Sequence, residues 1–186
     1  MTTLQTEVAE VAERTGFSGA VRVDREGDTV VCAAYGLADR AHGIPATVDT
    51  QFAMASGTKS LTAVTVMALV ERGTLRLDTT ARSLLGEDLP LVGDGVTVEH
   101  LLAHRSGIGD YLDEGSGCDV RDYVLSVPVH ELATAEAYLR MLDGRPSVFA
   151  PGERFTYNNS GYVLLAVLAE RAAGTDLPTL VSDLVC

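Results

Sequence analysis

The chain has 186 residues, which suits one domain, and with 46% apolar and 22% charged residues it has the composition of a globular protein rather than a disordered one. Its net charge of −12 repels phosphate backbones, which argues against nucleic acid as a partner. All but one of the 14 basic residues are Arg, the exception being Lys59, and the only Asn residues are Asn158 and Asn159.

The sequence contains no targeting or membrane-spanning pattern. Residues 1–16 lack the cationic and apolar regions of a signal peptide. The longest uncharged apolar stretches, 60–70 and 158–169, are too short to cross a bilayer. We therefore expect no membrane span and a cytoplasmic location.

The start of the chain predicts a helix and a β-hairpin. Apolar residues at helical spacing indicate an amphipathic helix over 3–14. Strands are expected over 18–24 and 29–36, with a glycine-containing turn over 24–28 between them. A loop over 37–51 follows.

The next predicted helix, over 57–72, has an unusual composition. From Ser60 to Val70 it carries no charged residue, and its apolar side chains lie on every side. Such a helix is expected to be buried. Gly73 is suited to end it.

The remainder of the chain predicts mainly helices. A short helix over 97–103 begins with Thr97 as its cap, and a loop rich in Gly and Asp covers 107–119. Further helices are expected over 119–126 and 130–142.

Two helices are predicted near the C-terminus. One covers 160–172, with Asn159 as its cap and Gly174 as its end, and the last begins near Asp176. The chain thus supplies only one hairpin, although two strands alone do not make a stable sheet. We expect further strands to come from a longer parent chain or from a partner.

Neither the cysteines nor the acidic residues have the spacing of a metal site. The cysteines form no CxxC pair, so we expect thiols rather than a zinc site or a disulfide framework (Cys32, Cys118 and Cys186). One acidic group lacks the EF-hand spacing and is interpreted as a solvated loop (Asp110, Asp113, Glu114, Asp119 and Asp122). The sequence predicts no metal and no cofactor.

Ser56 and Lys59 form a Ser-x-x-Lys pattern at the start of a helix, where residues three apart share a face and can touch. A serine hydroxyl becomes a nucleophile when a neighbouring base removes its proton. Lysine can be that base where burial and a helix N-terminus favour its neutral form, whereas Arg does not lose its proton in proteins. The alternative is a chance Ser before an ordinary solvated Lys.

Tyr157, Asn158 and Asn159 form a second candidate cluster. A phenol beside a lysine can act as a second base, and a carboxamide offers a substrate amide both a donor and an acceptor. The alternative is that Asn158 or Asn159 merely caps the following helix.

Ser-x-x-Lys followed by Tyr-x-Asn resembles the serine β-lactamase and penicillin-binding-protein superfamily, in particular its class C β-lactamase, DD-peptidase and esterase branch. Residues 98–108 (VEHLLAHRSGI) and 149–162 (FAPGERFTYNNSGY) are similar to two further stretches of that branch. The hairpin at 18–36 fits its first two strands. The resemblance therefore covers nearly all of the chain, in the family's order.

The resemblance implies a role for each motif residue. Ser56 is the nucleophile that forms an acyl-enzyme, and its backbone N–H is one of two oxyanion donors. Lys59 and Tyr157 share the general-base and general-acid work. Asn159 positions the acyl side chain of the substrate. His104 falls in a structural stretch of the family and is not expected to be catalytic.

The sequence departs from the family in lacking its third motif, Lys-Thr-Gly or His-x-Gly on a later strand, because no Lys follows Lys59 and no His follows His130. We therefore expect an α+β, β-lactamase/transpeptidase-like fold reduced to a single incomplete domain over 1–186. Residues 1–50 supply the helix and hairpin, and residues 51–186 supply the mainly helical part with the motifs. The later sheet strands are missing, and the exposed edge invites self-association or complementing strands.

The function implied is that of a serine hydrolase. Its partner is a small-molecule or peptide substrate: an ester, an amide, a β-lactam or a D-amino-acid peptide. With one oxyanion donor absent, turnover by this chain alone is expected to be weak. The alternative is a truncated, catalytically inactive remnant or binding module of the same fold. An α/β-hydrolase is not supported, because the sequence has no G-x-S-x-G.

Overall fold

The structure is a computed structural model that describes residues 3–112 and 123–186. Its elements belong to two compact units, with the division between Ala55 and Ser56. The first unit contains a helix and short strands, and the second contains most of the helices.

In the first unit, α1 (Thr3–Thr15) is followed by β1 (Gly19–Arg25) and β2 (Asp28–Tyr35). The two strands pair antiparallel, with Gly19 opposite Tyr35 and Arg25 opposite Asp28. Glu26 and Gly27 both have positive φ, at 53° and 94°, which matches the turn that best continues the twist of a two-residue hairpin. The predicted helix and hairpin are confirmed.

A second strand pair lies where the sequence indicated only a loop over 37–51. β3 (Leu37–Asp39) pairs antiparallel with β4 (Ile44–Pro45). The turn between them is closed because the Asp39 carboxylate accepts the backbone N–H of His42 at 3.0 Å, and Gly43 provides a φ of 65°. Within the described ranges β1 pairs with β2 alone, so the outer edge of β1 presents backbone groups that no strand there satisfies.

The second unit is built around one buried helix. Its helices are α2 (Thr58–Glu71), α3 (Ala81–Leu85), α4 (Val98–Leu102), α5 (Leu139–Leu142), α6 (Asn159–Ala173) and α7 (Leu177–Leu184). All residues of α6 from 164 to 169 are buried. Neighbours α2, α3, α4 and α7 pack around it, so α6 forms the centre of this core.

The predicted burial of α2 on every side is wrong. One face packs against α6 and α7, where Val66 and Leu69 are buried, but Val64 and Met67 are 50% and 45% exposed. In the part of the chain that is described, the elements of its own unit cover only one face of α2. No helix within that part has the length and apolarity that crossing a membrane requires.

Two predicted helices in the middle of the chain are corrected. In place of a helix over 130–142 there are two 3₁₀ turns, Val129–Glu131 and Glu136–Tyr138, followed by α5. The helix is interrupted because the Thr134 hydroxyl accepts the N–H of Ala137 at 3.2 Å and starts a new turn. Of the helix expected over 119–126, residues 123–126 are not helical and the rest lie outside the described residues.

Side chains cap α4, α6 and α7. Thr97 caps α4 as expected, accepting the N–H of His100. The cap of α6 is Asn158 rather than Asn159, because Asn158 Oδ1 accepts the N–H of Gly161 at 2.6 Å and Asn159 is the first helical residue. Gly174 ends α6 in the left-handed conformation and Asp176 caps α7, so both of these predictions are confirmed.

Two loops run side by side before α6, and we call them the backbone seam: residues 104–107 against residues 148–158. Backbone N–H groups of Val148 and Gly152 donate to the carbonyls of Gly107 and Arg105, each at 2.8 Å. Gly107 has a φ of 69°, and a Cβ there would overlap the carbonyl oxygen of Phe149. Only glycine therefore fits this position. The backbone seam fixes the position of residues 156–158, which directly precede α6.

Candidate active site

Ser56 and Lys59 lie at the beginning of α2. A 3₁₀ turn, Ala55–Gly57, leads into the helix and leaves Ser56 exposed. Lys59, half-buried on the first helical turn, donates from Nζ to Ser56 Oγ at 3.2 Å. The two side chains are therefore in contact, as their three-residue spacing predicts.

Tyr157 reaches the same hydroxyl from the end of the backbone seam. Its Oη is hydrogen-bonded to Ser56 Oγ at 2.8 Å, and its side chain is only partly covered, at 37% exposure. The Lys59 Nζ lies 4.9 Å from the centroid of the Tyr157 ring, within range of a cation–π interaction. Thus Lys59 and Tyr157 contact Ser56 and also each other.

Asn159 completes the group from the first position of α6. Its side chain is buried, and its Oδ1 accepts a hydrogen bond from Lys59 Nζ at 2.8 Å. Its Nδ2 donates to the carbonyl of Leu112 at 3.0 Å. The carboxamide therefore uses both its donor and its acceptor, and in this structure it holds the amine that contacts Ser56.

Asp110 is a site residue that the sequence analysis misjudged. Its Oδ2 accepts the backbone N–H of Asn159 at 2.7 Å, and its Oδ1 accepts from the backbone N–H and the hydroxyl of Ser160 at 2.9 and 3.1 Å. The interpretation as a solvated loop is wrong for Asp110, which is half-buried. The other members of that acidic group lie outside the described residues.

His104 is the second residue that the motifs did not reveal. It ends the turn after α4, and its ring lies 4.6 Å from the Tyr157 ring and 4.9 Å from the Tyr162 ring, centroid to centroid. Its Nδ1 is 3.1 Å from the backbone nitrogen of Asn158. Burial lowers the pKa of His104 below its usual value, and the positive charge of Lys59 lowers it further.

No cluster of three or more His, Cys, Asp or Glu side chains suited to a metal ion occurs in residues 3–112 and 123–186. Cys32 and Cys186 are exposed free thiols, and Cys118 lies outside those ranges. What the site does bring together is one hydroxyl, one amine and one phenol. Protons can pass directly among three such groups at these distances.

Comparison with known proteins adds independent information. A protein-family model described as Beta-lactamase matches residues 4–186. Esterase EstB of Burkholderia gladioli is 40% identical over 183 residues, covering 90% of this chain and 44% of its own length. A penicillin-binding protein of Bacillus subtilis (strain 168) is 33% identical over 174 residues, covering 92% of this chain and 36% of its own.

Among solved structures, the crystal structure of a penicillin binding protein from Bacillus halodurans superimposes with a TM-score of 0.84 at 35% identity. The match covers 94% of this chain and 52% of that protein. The chain therefore spans about half the length of the proteins that it matches, or less.

Proposed function

Because the chain belongs to the beta-lactamase family, we propose that it is a serine hydrolase in which Ser56 is the nucleophile. The observation that carries the proposal is the pair of contacts at Ser56 Oγ, 3.2 Å from Lys59 Nζ and 2.8 Å from Tyr157 Oη. A hydroxyl that contacts two groups able to take its proton meets the geometric condition for an activated nucleophile.

The acylation step follows from these contacts. Lys59 and Tyr157 together accept the Ser56 proton while Oγ forms a bond to the carbonyl carbon, and the C=O electron pair moves to oxygen. The tetrahedral intermediate then re-forms the carbonyl and expels the leaving group, which receives a proton from the same pair. Ser56 is left as an ester, and water attacks this ester in the reverse sequence to release the acid.

The charge that develops on oxygen is stabilised from the start of α2. The backbone N–H of Ser56 serves as one oxyanion donor, and the positive end of the helix adds to its effect. The Lys59 ammonium, once it has received a proton, adds a further positive charge beside the reacting carbonyl. Asn159 keeps that amine directed at Ser56 through the 2.8 Å hydrogen bond to its Oδ1.

Within the class of acyl compounds, we propose a small-molecule ester as the substrate, with amides, β-lactams and D-amino-acid peptides as the alternatives. The relative that is 40% identical carries the name esterase. An ester also places the smallest demand on leaving-group protonation, because an alkoxide or phenoxide can leave without a proton far more readily than the nitrogen anion that an unprotonated amide would have to expel.

A second candidate function is that of a binding module without turnover. For residues 1–186 taken by themselves, the observation that favours it is that no Lys-Thr-Gly motif occurs among them. That motif would provide the second oxyanion donor, and losing one such donor costs about 10²–10³ in rate.

Intact-mass spectrometry of the purified chain after exposure to a p-nitrophenyl ester separates the two functions. We expect an acyl adduct on Ser56, followed by slow hydrolysis. Ser56→Ala should remove the adduct, and Ser182→Ala, at an exposed serine on α7, should not. If no adduct forms with the ester, with a fluorescent penicillin or with a D-alanyl peptide, the hydrolase proposal is wrong and the binding module is favoured.

A further inference from the structure

His104 has a backbone conformation that residues other than glycine adopt uncommonly. Its φ is 54°, in the left-handed region that glycine enters freely and residues with a Cβ usually avoid. A residue held in such a conformation is fixed by its surroundings, and these positions concentrate at functional sites.

The imidazole lies between two tyrosine rings. It is inclined by 32° to each of the Tyr157 and Tyr162 rings, at centroid distances of 4.6 and 4.9 Å, and Phe155 meets it edge-on at 5.8 Å. Tyr162 is itself anchored, because its hydroxyl donates to the carbonyl of Leu102 at 3.0 Å. The Tyr157 ring therefore packs against the His104 imidazole, and the imidazole packs in turn against the anchored Tyr162 ring.

The same residue also holds the backbone on both sides of Tyr157. The carbonyl of His104 accepts the N–H of Thr156 at 2.9 Å. Its Nδ1 accepts the N–H of Asn158 at 3.1 Å. Three contacts from one residue thus define where the Tyr157 side chain starts and which way its ring faces.

We propose that His104 is a positioning residue for Tyr157. The neutral imidazole of His104 fixes the phenol ring so that the Tyr157 hydroxyl contacts Ser56 Oγ. This inference rests on the proposed function of Ser56 and Tyr157. His104 does not itself exchange a proton with the substrate in this scheme.

The arrangement requires a neutral ring with its proton on Nε2. Once Nδ1 is protonated, it becomes a donor and can no longer accept the N–H of Asn158. The titratable or charged groups around the imidazole are Lys59 on α2, Tyr157 on the seam, Tyr162 on α6 and Asp110 in the loop. Burial favours the neutral ring, the charge of Lys59 adds to this effect whenever that amine carries a proton, and Asp110 opposes both. Protonation of this ring in acid should therefore release Tyr157.

Two variants separate the ring from the hydrogen bond. His104→Asn tolerates the left-handed backbone and keeps a carbonyl acceptor, but it removes the ring. His104→Phe keeps a ring and removes the acceptor. His130→Asn is the matched control, because His130 is exposed on a separate 3₁₀ turn. The thermal unfolding midpoint of each variant establishes that it is folded.

The expected result is a loss of about 100-fold in the rate of Ser56 acylation at neutral pH for both His104 variants, with the KM for the ester unchanged, since displacing a reacting group by an ångström costs about this much. The acid limb of the wild-type rate profile should follow the ionisation of His104 and should be altered in His104→Phe. A purely structural residue would lower the unfolding midpoint without moving this limb.

A nuclear magnetic resonance titration of the wild-type chain supplies a test that needs neither a variant nor activity. The Asn158 amide and the Tyr157 ring resonances should shift with the same midpoint as the His104 imidazole. Independent titration of these groups, or wild-type acylation rates in both His104 variants, would overturn the inference. If the wild-type chain forms no adduct, the proposed function fails, while this titration still decides whether His104 positions Tyr157.

Discussion

Asp110 and Asn159 are 49 residues apart in the chain, yet Asp110 Oδ2 accepts the backbone N–H of Asn159 at 2.7 Å. With Ser160 also bound to this carboxylate, the first turn of α6 is held by a loop from a distant part of the sequence. A negative charge at this end of a helix is favourable. The contact from Asn159 to Lys59 therefore depends on a residue that contacts neither Lys59 nor Ser56 in the hydrogen-bond network.

Replacing Asp110 with Ala should destabilise the chain by about 2 kcal/mol. The backbone N–H groups of Leu112, Asn159 and Ser160, and the Ser160 hydroxyl, would lose their acceptor in a half-buried place. Urea unfolding monitored by circular dichroism measures the loss. Asp176→Ala is the control: Asp176 caps α7 through Thr179, which is exposed, so water can replace it and the loss should be smaller. Equal losses for the two variants would mean that Asp110 acts only as an ordinary cap.

Lys59→Arg keeps the positive charge but should reduce acylation of Ser56 by more than about 100-fold, since a guanidinium does not accept the serine proton. Adduct formation with a p-nitrophenyl ester, followed by mass, measures the effect. Arg72→Lys, at the exposed residue directly after α2, makes the converse exchange and should leave the rate unchanged. Acylation of Lys59→Arg at the wild-type rate would rule out Lys59 as a base.

Tyr111 should ionise at a higher pH than a tyrosine in water. Burial, and after it the neighbouring Tyr138 and Asp110, raises the pKa of Tyr111 from 10.0 to about 12. A phenol whose pKa is raised by folding stabilises the folded state below pH 10.0, and this contribution is lost as the pH rises from 10.0 towards 12.

Near-ultraviolet absorbance of tyrosinate, recorded during an alkaline titration, measures this ionisation. Tyr111→Phe should remove a component of the titration near pH 12 and should flatten the loss of stability over the same interval. If the titration curve keeps that component in Tyr111→Phe, another tyrosine is responsible and the assignment is wrong.

Arg171 should contribute more to stability than an ordinary surface arginine. It joins α6 to two other segments through ion pairs with Glu136 and Asp88, both at 2.7 Å, and a hydrogen bond to the carbonyl of Leu84 at 3.0 Å. Arg171→Lys cannot reproduce this fork and should cost about 1–2 kcal/mol in urea unfolding.

Arg140→Lys is the matched comparison for Arg171. Its ion pair with Glu131 has both side chains about 45% exposed, and such pairs are worth less than about 1 kcal/mol. If Arg171→Lys and Arg140→Lys lower the free energy of unfolding equally, the network around Arg171 adds nothing beyond a surface pair.

Most of the fold could be predicted because its signals are local. The amphipathic helix at 3–15, the hairpin turn at Glu26 and Gly27, and the helix ends at Gly73 and Gly174 each depend on residues next to them in the chain. The predicted α+β, β-lactamase-like fold class is confirmed, the structure matching the N-terminal part of that fold. The contact between Ser56 and Lys59 was predictable for the same reason, since helical spacing alone brings them together.

The predictions that were wrong concern places where residues distant in the chain determine the structure. Asp110 acts on a helix that begins 49 positions later, so a search for caps beside the helix does not find it. The exposed face of α2 could not be predicted from the sequence. An apolar composition indicates that a helix is buried, but it does not indicate which elements cover each of its faces. The interruption at Thr134 is a choice between two hydrogen-bonding patterns, which side-chain periodicity does not distinguish.

The backbone seam has a consequence for recombination. Gly107 leaves no room for a side chain beneath Phe149, and His104 binds the backbone of Thr156 and Asn158, so the two loops fit each other rather than a generic surface. A chimera that takes residues 104–107 from one parent and residues 148–158 from another would pair two loops that do not pack against each other in either parent. Gene shuffling within this family should therefore recover functional hybrids mainly when both loops are inherited from the same parent.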